Sequence, residues 1–180
     1  ITAEDESENF LPDSITTSFI DSSINVVTIH TAQDVCKDGN ADTLVDLFNI
    51  KNPKVFAQTV GKYGAGRYGT IDMVSPLELK KLIENKLNTK IIRTNEYFEN
   101  MAEIGQIAVL PGSGSQFLEE ILYISQVFIT GDISHRYLLK ADEEKMGLIQ
   151  IGHISSEIPG MRKFVEKFNK FMELEINYVY

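Results

Sequence analysis

The sequence of 180 residues lacks tryptophan, has one cysteine (Cys36) and contains no apolar run of about 18 residues or more. A single cysteine excludes an internal disulfide bond, so we expect a reduced, cytoplasmic setting. The missing apolar run excludes a predicted membrane-spanning helix. Residues 1–13 also lack Lys, Arg and the apolar segment that is typical of a secretory signal.

Positive charge is scarce at the start of the chain. Residues 1–36 contain seven acidic residues and no basic one, whereas residues 37–180 hold the other 19 acidic and all 17 basic residues. Since no Lys/Arg cluster is present, neither nucleic acid nor an anionic membrane surface is expected as a partner. We expect residues 1–13 to form a flexible acidic lead and residues 14–180 to form one α/β domain.

Short β-branched runs alternate with longer amphipathic segments, and this pattern predicts an α/β sheet covered by helices. The segment Ser75-Pro76-Leu77-Glu78 predicts a helix start, because Ser caps, Pro suits the first helical position and Glu follows at capping-box spacing. Gly64–Gly66 is predicted as the turn between two strands. The predicted strands are 24–29, 55–60, 68–74, 91–92, 107–110, 127–130, 148–151 and 175–180, and the predicted helices are 44–48, 76–87, 116–125, 137–146 and 161–172.

A histidine followed four residues later by a carboxylate occurs twice directly after a predicted strand, as His30/Asp34 and His153/Glu157. Strand ends commonly form the sites of open α/β sheets, and imidazole with carboxylate suits Zn, Mn or Fe. If a helix follows His153, the spacing places both side chains on one side of it. The alternative is local hydrogen bonding by each His, with each acid in the first turn of a helix.

The third histidine, His135, follows another predicted strand through Gly131-Asp132. Asp132 could accept a hydrogen bond from a neighbouring His, and His135 could act as an acid/base group or a ligand. The alternative is a tight turn in which Gly131 adopts a positive φ and Asp132 makes an Asx-type hydrogen bond.

Two glycine-rich segments have the composition of phosphate-binding loops. Gly64–Gly69 matches G-x-G-x-x-G, but a strand follows it, which excludes a dinucleotide fingerprint and leaves a turn in which Arg67 could face a ligand. Leu110–Gln116 joins a strand to a predicted helix. Its backbone N–H groups could bind an anion, or Ser113 and Gln116 could simply cap the helix.

The order of these motifs resembles the NIF-three-like family, whose members are also described as GTP cyclohydrolase type two homologues. The resemblance implies a duplicated α/β fold, assembled as a toroidal hexamer, with a dinuclear metal site facing an interior cavity. By position, Asp34, His153 and Glu157 match metal ligands of the family, whereas His30, Asp132 and His135 match residues near the site. The motifs that carry the resemblance are His30–Asp34, Gly39-Asn40, Gly64–Gly69, Pro111–Ser115, Thr130–His135 and Gly152–Glu157.

The family also supplies ligands from a His-His-Pro-like motif upstream of the His30 motif, and this sequence has no such histidine. The chain starts at Ile1 without an initiator methionine. We therefore expect either that the N-terminal portion of the family fold is missing from this sequence or that Glu4-Asp5-Glu6 occupies the position of those histidines.

Two functions are compatible with these observations. The first is a metal-dependent hydrolase acting on a nucleotide or a related small molecule, in which Asp34 and Glu157 ligate the metal and His135 moves a proton. The alternative is a non-enzymatic, oligomeric scaffold or regulatory protein with a structural or degenerate metal site and protein partners.

Overall fold

The computed structural model of the chain describes residues 22–23 and 28–172. The predicted acidic lead, the strand predicted at 175–180 and most of the strand predicted at 24–29 lie outside the described residues. Thr28 and Ile29, the last two residues of that strand, are described and are not in a strand.

Helices and strands alternate along much of the described chain, as the sequence predicts. The strands are β1 (Lys51–Val60), β2 (Tyr63–Val74), β3 (Arg93–Thr94), β4 (Ile104–Ser113), β5 (Val127–Asp132) and β6 (Gly147–Gln150). The helices are α1 (Thr31–Val35), α2 (Asn40–Leu47), α3 (Pro76–Leu87), α4 (Glu96–Glu99), α5 (Leu118–Ile121), α6 (His135–Glu143) and α7 (His153–Met172), and a 3₁₀ turn (Ser115–Phe117) precedes α5.

The strands form one mixed sheet in the order β1-β2-β4-β5-β6-β3. The central strands β4, β5 and β6 are parallel, whereas β1, β2 and β4 pair in antiparallel fashion and β3 pairs antiparallel to β6. The three parallel strands therefore end at one edge, which is the edge where open α/β sheets generally form binding sites.

Two apolar clusters lie on opposite faces of this sheet. Val109 belongs to one cluster and Leu110 to the other, as expected from the alternation of side chains along a strand. The first face is covered by α2 and α3 through residues such as Leu44 and Ile83, and the second by α5 through Ile121. In the described part of the chain, no helix combines the length and the apolar character needed to cross a membrane.

The predicted start of α3 is confirmed. The Ser75 hydroxyl accepts a hydrogen bond from the Glu78 N–H, and the Glu78 carboxylate accepts one from the Ser75 N–H at 2.8 Å. Both bonds satisfy backbone groups at the helix start that have no partner within the helix.

The predicted turn at Gly64–Gly66 is wrong, because these residues lie inside β2 and the hairpin turns at Gly61-Lys62 instead. Gly61 adopts φ +57°, which glycine tolerates at little cost. Gly66 serves packing, since a Cβ atom there would overlap the ring of Phe56 on the neighbouring strand.

Several other boundaries differ from the predictions. Gly131 has no positive φ and belongs to β5, so the predicted tight turn is absent. β4 extends to Ser113, which forms no capping box with Gln116, and the helix predicted there is reduced to the 3₁₀ turn and one turn of α5. The short strand predicted at 91–92 occurs at 93–94, and α7 starts at His153 with Pro159 inside it rather than at 161.

Candidate functional site

His153 opens α7, three residues after the end of β6, and lies between two carboxylates. Its Nδ1 atom is 2.7 Å from Oδ2 of Asp132, the last residue of β5. Its Nε2 atom is 3.2 Å from Oε1 of Glu157, one helical turn further along α7. The structure therefore contains the predicted pairing of His153 with Glu157 on one side of a helix, and it shows Asp132 as the carboxylate partner of a neighbouring His that the sequence suggests.

A hydrogen-bond network fixes the first turn of α7 against the ends of the parallel strands. The Ser156 hydroxyl accepts a hydrogen bond from the Gly112 N–H at 2.9 Å and donates one to the His153 carbonyl at 2.6 Å. Gly131 permits this approach, because a Cβ atom there would lie 2.8 Å from Ser156 Oγ and 3.0 Å from the His153 Cα. These contacts hold the backbone of His153 in place.

Asp34 lies in α1 and is oriented by Asn40 at the start of α2. Asn40 Nδ2 donates a hydrogen bond to Asp34 Oδ1 at 2.8 Å. Asn40 is 3% exposed, and its Oδ1 atom is buried without a hydrogen-bond partner in the described part of the chain. The charges of His153 and His30 act on Asp34, and the charge of Asp34 acts on Glu157. The three predicted ligands therefore belong to one electrostatic cluster.

Burial opposes ionisation of the two carboxylates in this cluster. It raises the pKa of Asp34, although the hydrogen bond from Asn40 opposes the effect, and it raises the pKa of Glu157 against the positive charge of His153. The hydrogen bond with Asp132 raises the pKa of His153. A cation placed among these groups would stabilise the ionised carboxylates.

The donor set fits a divalent ion in chemical type, because a neutral imidazole with two carboxylates is a common ligand combination for Zn, Mn or Fe. Gly112, at φ +69°, leaves the space beside two of these donors free: a Cβ atom there would lie 2.9 Å from Glu157 Oε1 and 3.4 Å from His153 Nε2. As the side chains stand, no group of three or more His, Cys, Asp or Glu residues among those described is arranged to hold a metal ion. Metal binding would therefore require the carboxylates to move relative to the imidazole.

The two remaining histidines differ in their relation to the cluster. His30 is the N-cap residue of α1 and is exposed, and its charge acts on both Asp34 and Glu157. His135 is exposed at the start of α6, and within the described residues no hydrogen bond or ion pair joins it to Asp34, His153 or Glu157. The structure thus brings His30 and Asp132 to the cluster but shows no contact for the predicted catalytic His135.

The sequence patterns assign no role to the side chains of Asn40 and Ser156, and they include Gly112 only as part of the glycine-rich segment Leu110–Gln116. Asn40 contacts Asp34 six residues away, whereas Ser156 and Gly112 contact each other over 44 residues. The Gly39-Asn40 pair within the family motifs was the one signal that pointed to Asn40.

Comparison with known proteins identifies related sequences over most of the chain. The model of the Duf34/NIF3 family (NGG1p interacting factor 3) matches residues 3–179. A protein of Methanocaldococcus jannaschii named GTP cyclohydrolase 1 type 2 homolog is 31% identical over 163 residues, which are 87% of this chain and 62% of that protein. Three curated relatives of this name are matched over 54–63% of their own length.

Solved structures show the same fold. Reduced HcgD from Methanocaldococcus jannaschii superposes with a TM-score of 0.76 at 27% identity, covering 89% of this chain and 62% of that one. A Bacillus cereus protein related to NIF3 superposes with a TM-score of 0.75 at 13% identity, covering 92% of this chain and 76% of that one, and this second likeness concerns the fold alone.

Proposed function

Because the chain belongs to the Duf34/NIF3 family, whose model matches residues 3–179, we propose that it binds a divalent metal ion and hydrolyses a nucleotide or a related small molecule. Asp34, His153 and Glu157 are the proposed ligands, and Zn, Mn or Fe is the proposed ion. Curated relatives named GTP cyclohydrolase 1 type 2 homolog support this substrate class.

The observation that carries the proposal is the arrangement of His153 with a carboxylate at each ring nitrogen, at the edge where β4, β5 and β6 end. Asp132 at Nδ1 would keep a proton on that nitrogen and leave Nε2 as the ligand atom, which is the usual relation of a metal-binding His to its supporting carboxylate. A divalent ion held there supplies Lewis acidity, which activates water near neutral pH.

A histidine near the site is proposed to transfer the proton during hydrolysis. His135 is the proposed proton carrier, and it would have to reach the substrate, since no hydrogen bond or ion pair among the described residues joins it to the proposed ligands. His30 is the competing candidate, because its charge acts on Asp34 and Glu157. His30→Gln and His135→Gln, each assayed for hydrolysis and for metal content, separate the two: the proton carrier loses turnover while the bound metal is retained.

Elemental analysis and a nucleotide hydrolysis screen test the proposal on the full chain. Protein purified with added Zn, Mn or Fe is expected to retain metal, to hydrolyse at least one nucleotide, and to lose both properties with Asp34→Asn or Glu157→Gln. Glu166→Gln is the matched control, since Glu166 lies on the same helix and is exposed. Metal content that is equal in Glu157→Gln and Glu166→Gln would overturn the assignment of Glu157.

A second function is favoured by one feature of the same site. Both ring nitrogens of His153 already have carboxylate partners, so the cluster is internally satisfied and could be purely structural. The chain would then be a non-enzymatic, oligomeric scaffold or regulatory protein that contacts protein partners. Hydrolysis that a chelator abolishes and added metal restores would exclude this alternative.

Assembly is proposed on the family resemblance alone. We propose a homo-oligomer, a toroidal hexamer, built on a duplicated fold with further metal ligands upstream of the His30 motif. The chain spans about three fifths of the length of the curated relatives it matches. Light scattering coupled to size-exclusion chromatography on the complete gene product tests the hexamer, and a monomer at all concentrations would exclude it.

A further inference from the structure

A cavity of about 320 Å³ lies between the β1–β2 hairpin and the loop that joins α1 to α2. None of its lining residues is a proposed metal ligand, so it is separate from the site described above. Its volume lies at the lower end of the range for small-molecule pockets.

The buried base of this cavity is Arg67 on β2, which is 6% exposed. Its Nε atom donates to Asp42 Oδ1 at 2.7 Å, and its Nη1 atom donates to the carbonyls of Gly64 at 2.6 Å and Gly66 at 3.0 Å. Nη2 makes no hydrogen bond to the described residues. Nη2 is not among the buried side-chain atoms that lack a hydrogen-bond partner, because Asn40 Oδ1 is the one atom of this kind in the described part of the chain. The guanidinium is therefore held rigidly in the lining of the cavity, and Nη2 is the nitrogen that makes no hydrogen bond to the described residues.

Two lysines from different segments line the same cavity. Lys37 lies in the loop between α1 and α2, and Lys62 lies in the hairpin turn. Neither forms an ion pair with any described residue, although the chain as a whole has a net charge of −9. Asp42 is the one acidic residue of the lining, and its oxygens already accept from Arg67 and from the Asp38 N–H at 2.8 Å.

The rest of the lining is apolar and is formed by Pro53, Val55 and the ring of Tyr63, and the Lys62 ammonium lies 5.7 Å from the centroid of that ring. A pocket lined both by cations and by an apolar surface suits a ligand with a charged head and a flat or apolar body. Three cations against one acid favour a dianion over a single carboxylate. Guanidinium geometry also matches the oxygens of a phosphate group.

We propose that this cavity binds a small molecule in which a phosphate group is attached to an aromatic or apolar body. The phosphate contacts Arg67 Nη2, Lys37 and Lys62, and the body lies against Tyr63, Pro53 and Val55. The site requires no metal, so it is independent of the proposed hydrolytic function.

Titration of the full chain with phenylphosphonate, followed by calorimetry and by ³¹P NMR in the presence of a chelator, tests this proposal. Phenylphosphonate presents the charged head and the aromatic body and is not hydrolysed. Lys37→Ala and Lys62→Ala are each expected to weaken binding roughly three- to tenfold, as loss of one charge-assisted contact does. Lys54→Ala is the control, because Lys54 lies on β1 over the Tyr68 ring and does not line the cavity.

Inorganic phosphate and benzoate are compared with phenylphosphonate to test the apolar wall and the charge of the ligand separately. Inorganic phosphate is expected to bind more weakly than phenylphosphonate because it cannot use the apolar wall, and benzoate is expected to bind more weakly because it carries one charge. Equal binding of benzoate would overturn the phosphate assignment. Absence of phenylphosphonate binding at millimolar concentration, or equal affinity of Lys62→Ala and Lys54→Ala, would overturn the site itself.

Discussion

Asp132 Oδ2 and His153 Nδ1 lie 2.7 Å apart, and this contact ties the end of β5 to the first turn of α7. Asp132 is also held in place, since its other oxygen accepts from Gln150 Nε2 at 3.3 Å. The imidazole is thereby fixed in orientation whether or not its second nitrogen has a ligand.

Asp132→Asn is expected to weaken metal binding roughly 10- to 100-fold, as removal of a carboxylate behind a ligating His does. The measurement is competition with a chromophoric zinc chelator. Asp72→Asn is the matched control, because Asp72 is exposed and its ion pair is with Lys51 on the neighbouring strand. Unchanged zinc affinity in Asp132→Asn would show that His153 is not a ligand oriented by this carboxylate.

Gly112→Ala is expected to impair both stability and metal binding. The new methyl group meets Glu157 and His153 in a backbone conformation that already disfavours L side chains. Gly61→Ala separates backbone strain from steric contact, since Gly61 also has a positive φ but a Cβ atom there meets nothing within 4 Å.

We expect Gly61→Ala to lower the free energy of unfolding by about 1–2 kcal/mol without changing metal affinity. Gly112→Ala should lower it further and reduce metal affinity as well. Urea unfolding of the metal-free proteins and zinc competition measure the two quantities. If both variants had the same free energy of unfolding and the same zinc affinity, the free space beside Glu157 would not be needed for stability or for metal binding.

Gly160→Ala is expected to destabilise the protein, contrary to the helix propensities of the two residues. Gly160 lies inside α7 where this helix packs on α2, and a Cβ atom there would overlap Asn40 Oδ1 and lie 2.7 Å from the Asn40 Cα. Such overpacking typically costs about 1–3 kcal/mol. The test is urea unfolding, and a variant more stable than the wild type would contradict this packing.

The start of α3 should make a pH-dependent contribution to stability. Hydrogen bonds from the hydroxyl and the N–H of Ser75 lower the pKa of Glu78 from its ordinary value of 4.5. Because the folded-state pKa is the lower one, this contribution is complete above pH 4.5 and is lost as the pH falls through the folded-state value.

Glu78→Gln removes this titration while keeping a side chain that can cap the helix. We expect the wild type to be more stable than Glu78→Gln at neutral pH and the difference to shrink under acidic conditions. Urea unfolding of both proteins at neutral and at acidic pH measures this difference in the free energy of unfolding. A difference that is independent of pH would show that Glu78 does not titrate through these bonds.

The parts of the fold that could be predicted from the sequence depend on local interactions. The capping box at Ser75 and Glu78 involves groups three residues apart, and the buried strand β5 begins in the sequence with the apolar residues Val127, Phe128 and Ile129. The spacing of His153 and Glu157 likewise predicted their contact once a helix followed the strand.

The errors arose where residues distant in sequence determine the structure. The local sequence predicts a turn at Gly66, whereas the small size of this residue serves the close approach of Phe56 on the next strand. The local sequence also predicts that α7 starts after Pro159, whereas the contacts of Ser156 with Gly112 and of Gly160 with Asn40 help to hold this helix in place on both sides of the proline. The exposure of the His135 side chain likewise depends on the tertiary structure and not on the local sequence.

The irregular strand β1 at the edge of the sheet has a consequence for how copies of the chain can meet. Asn52 and Ala57 have positive φ, Pro53 has no N–H, and the Ala57 N–H already donates to Glu120 at 3.0 Å. At the other edge β3 has two residues. Neither border of the described sheet offers an uninterrupted row of backbone donors and acceptors, so the fold resists strand-by-strand aggregation, and contacts between copies through these strands would rely on side chains.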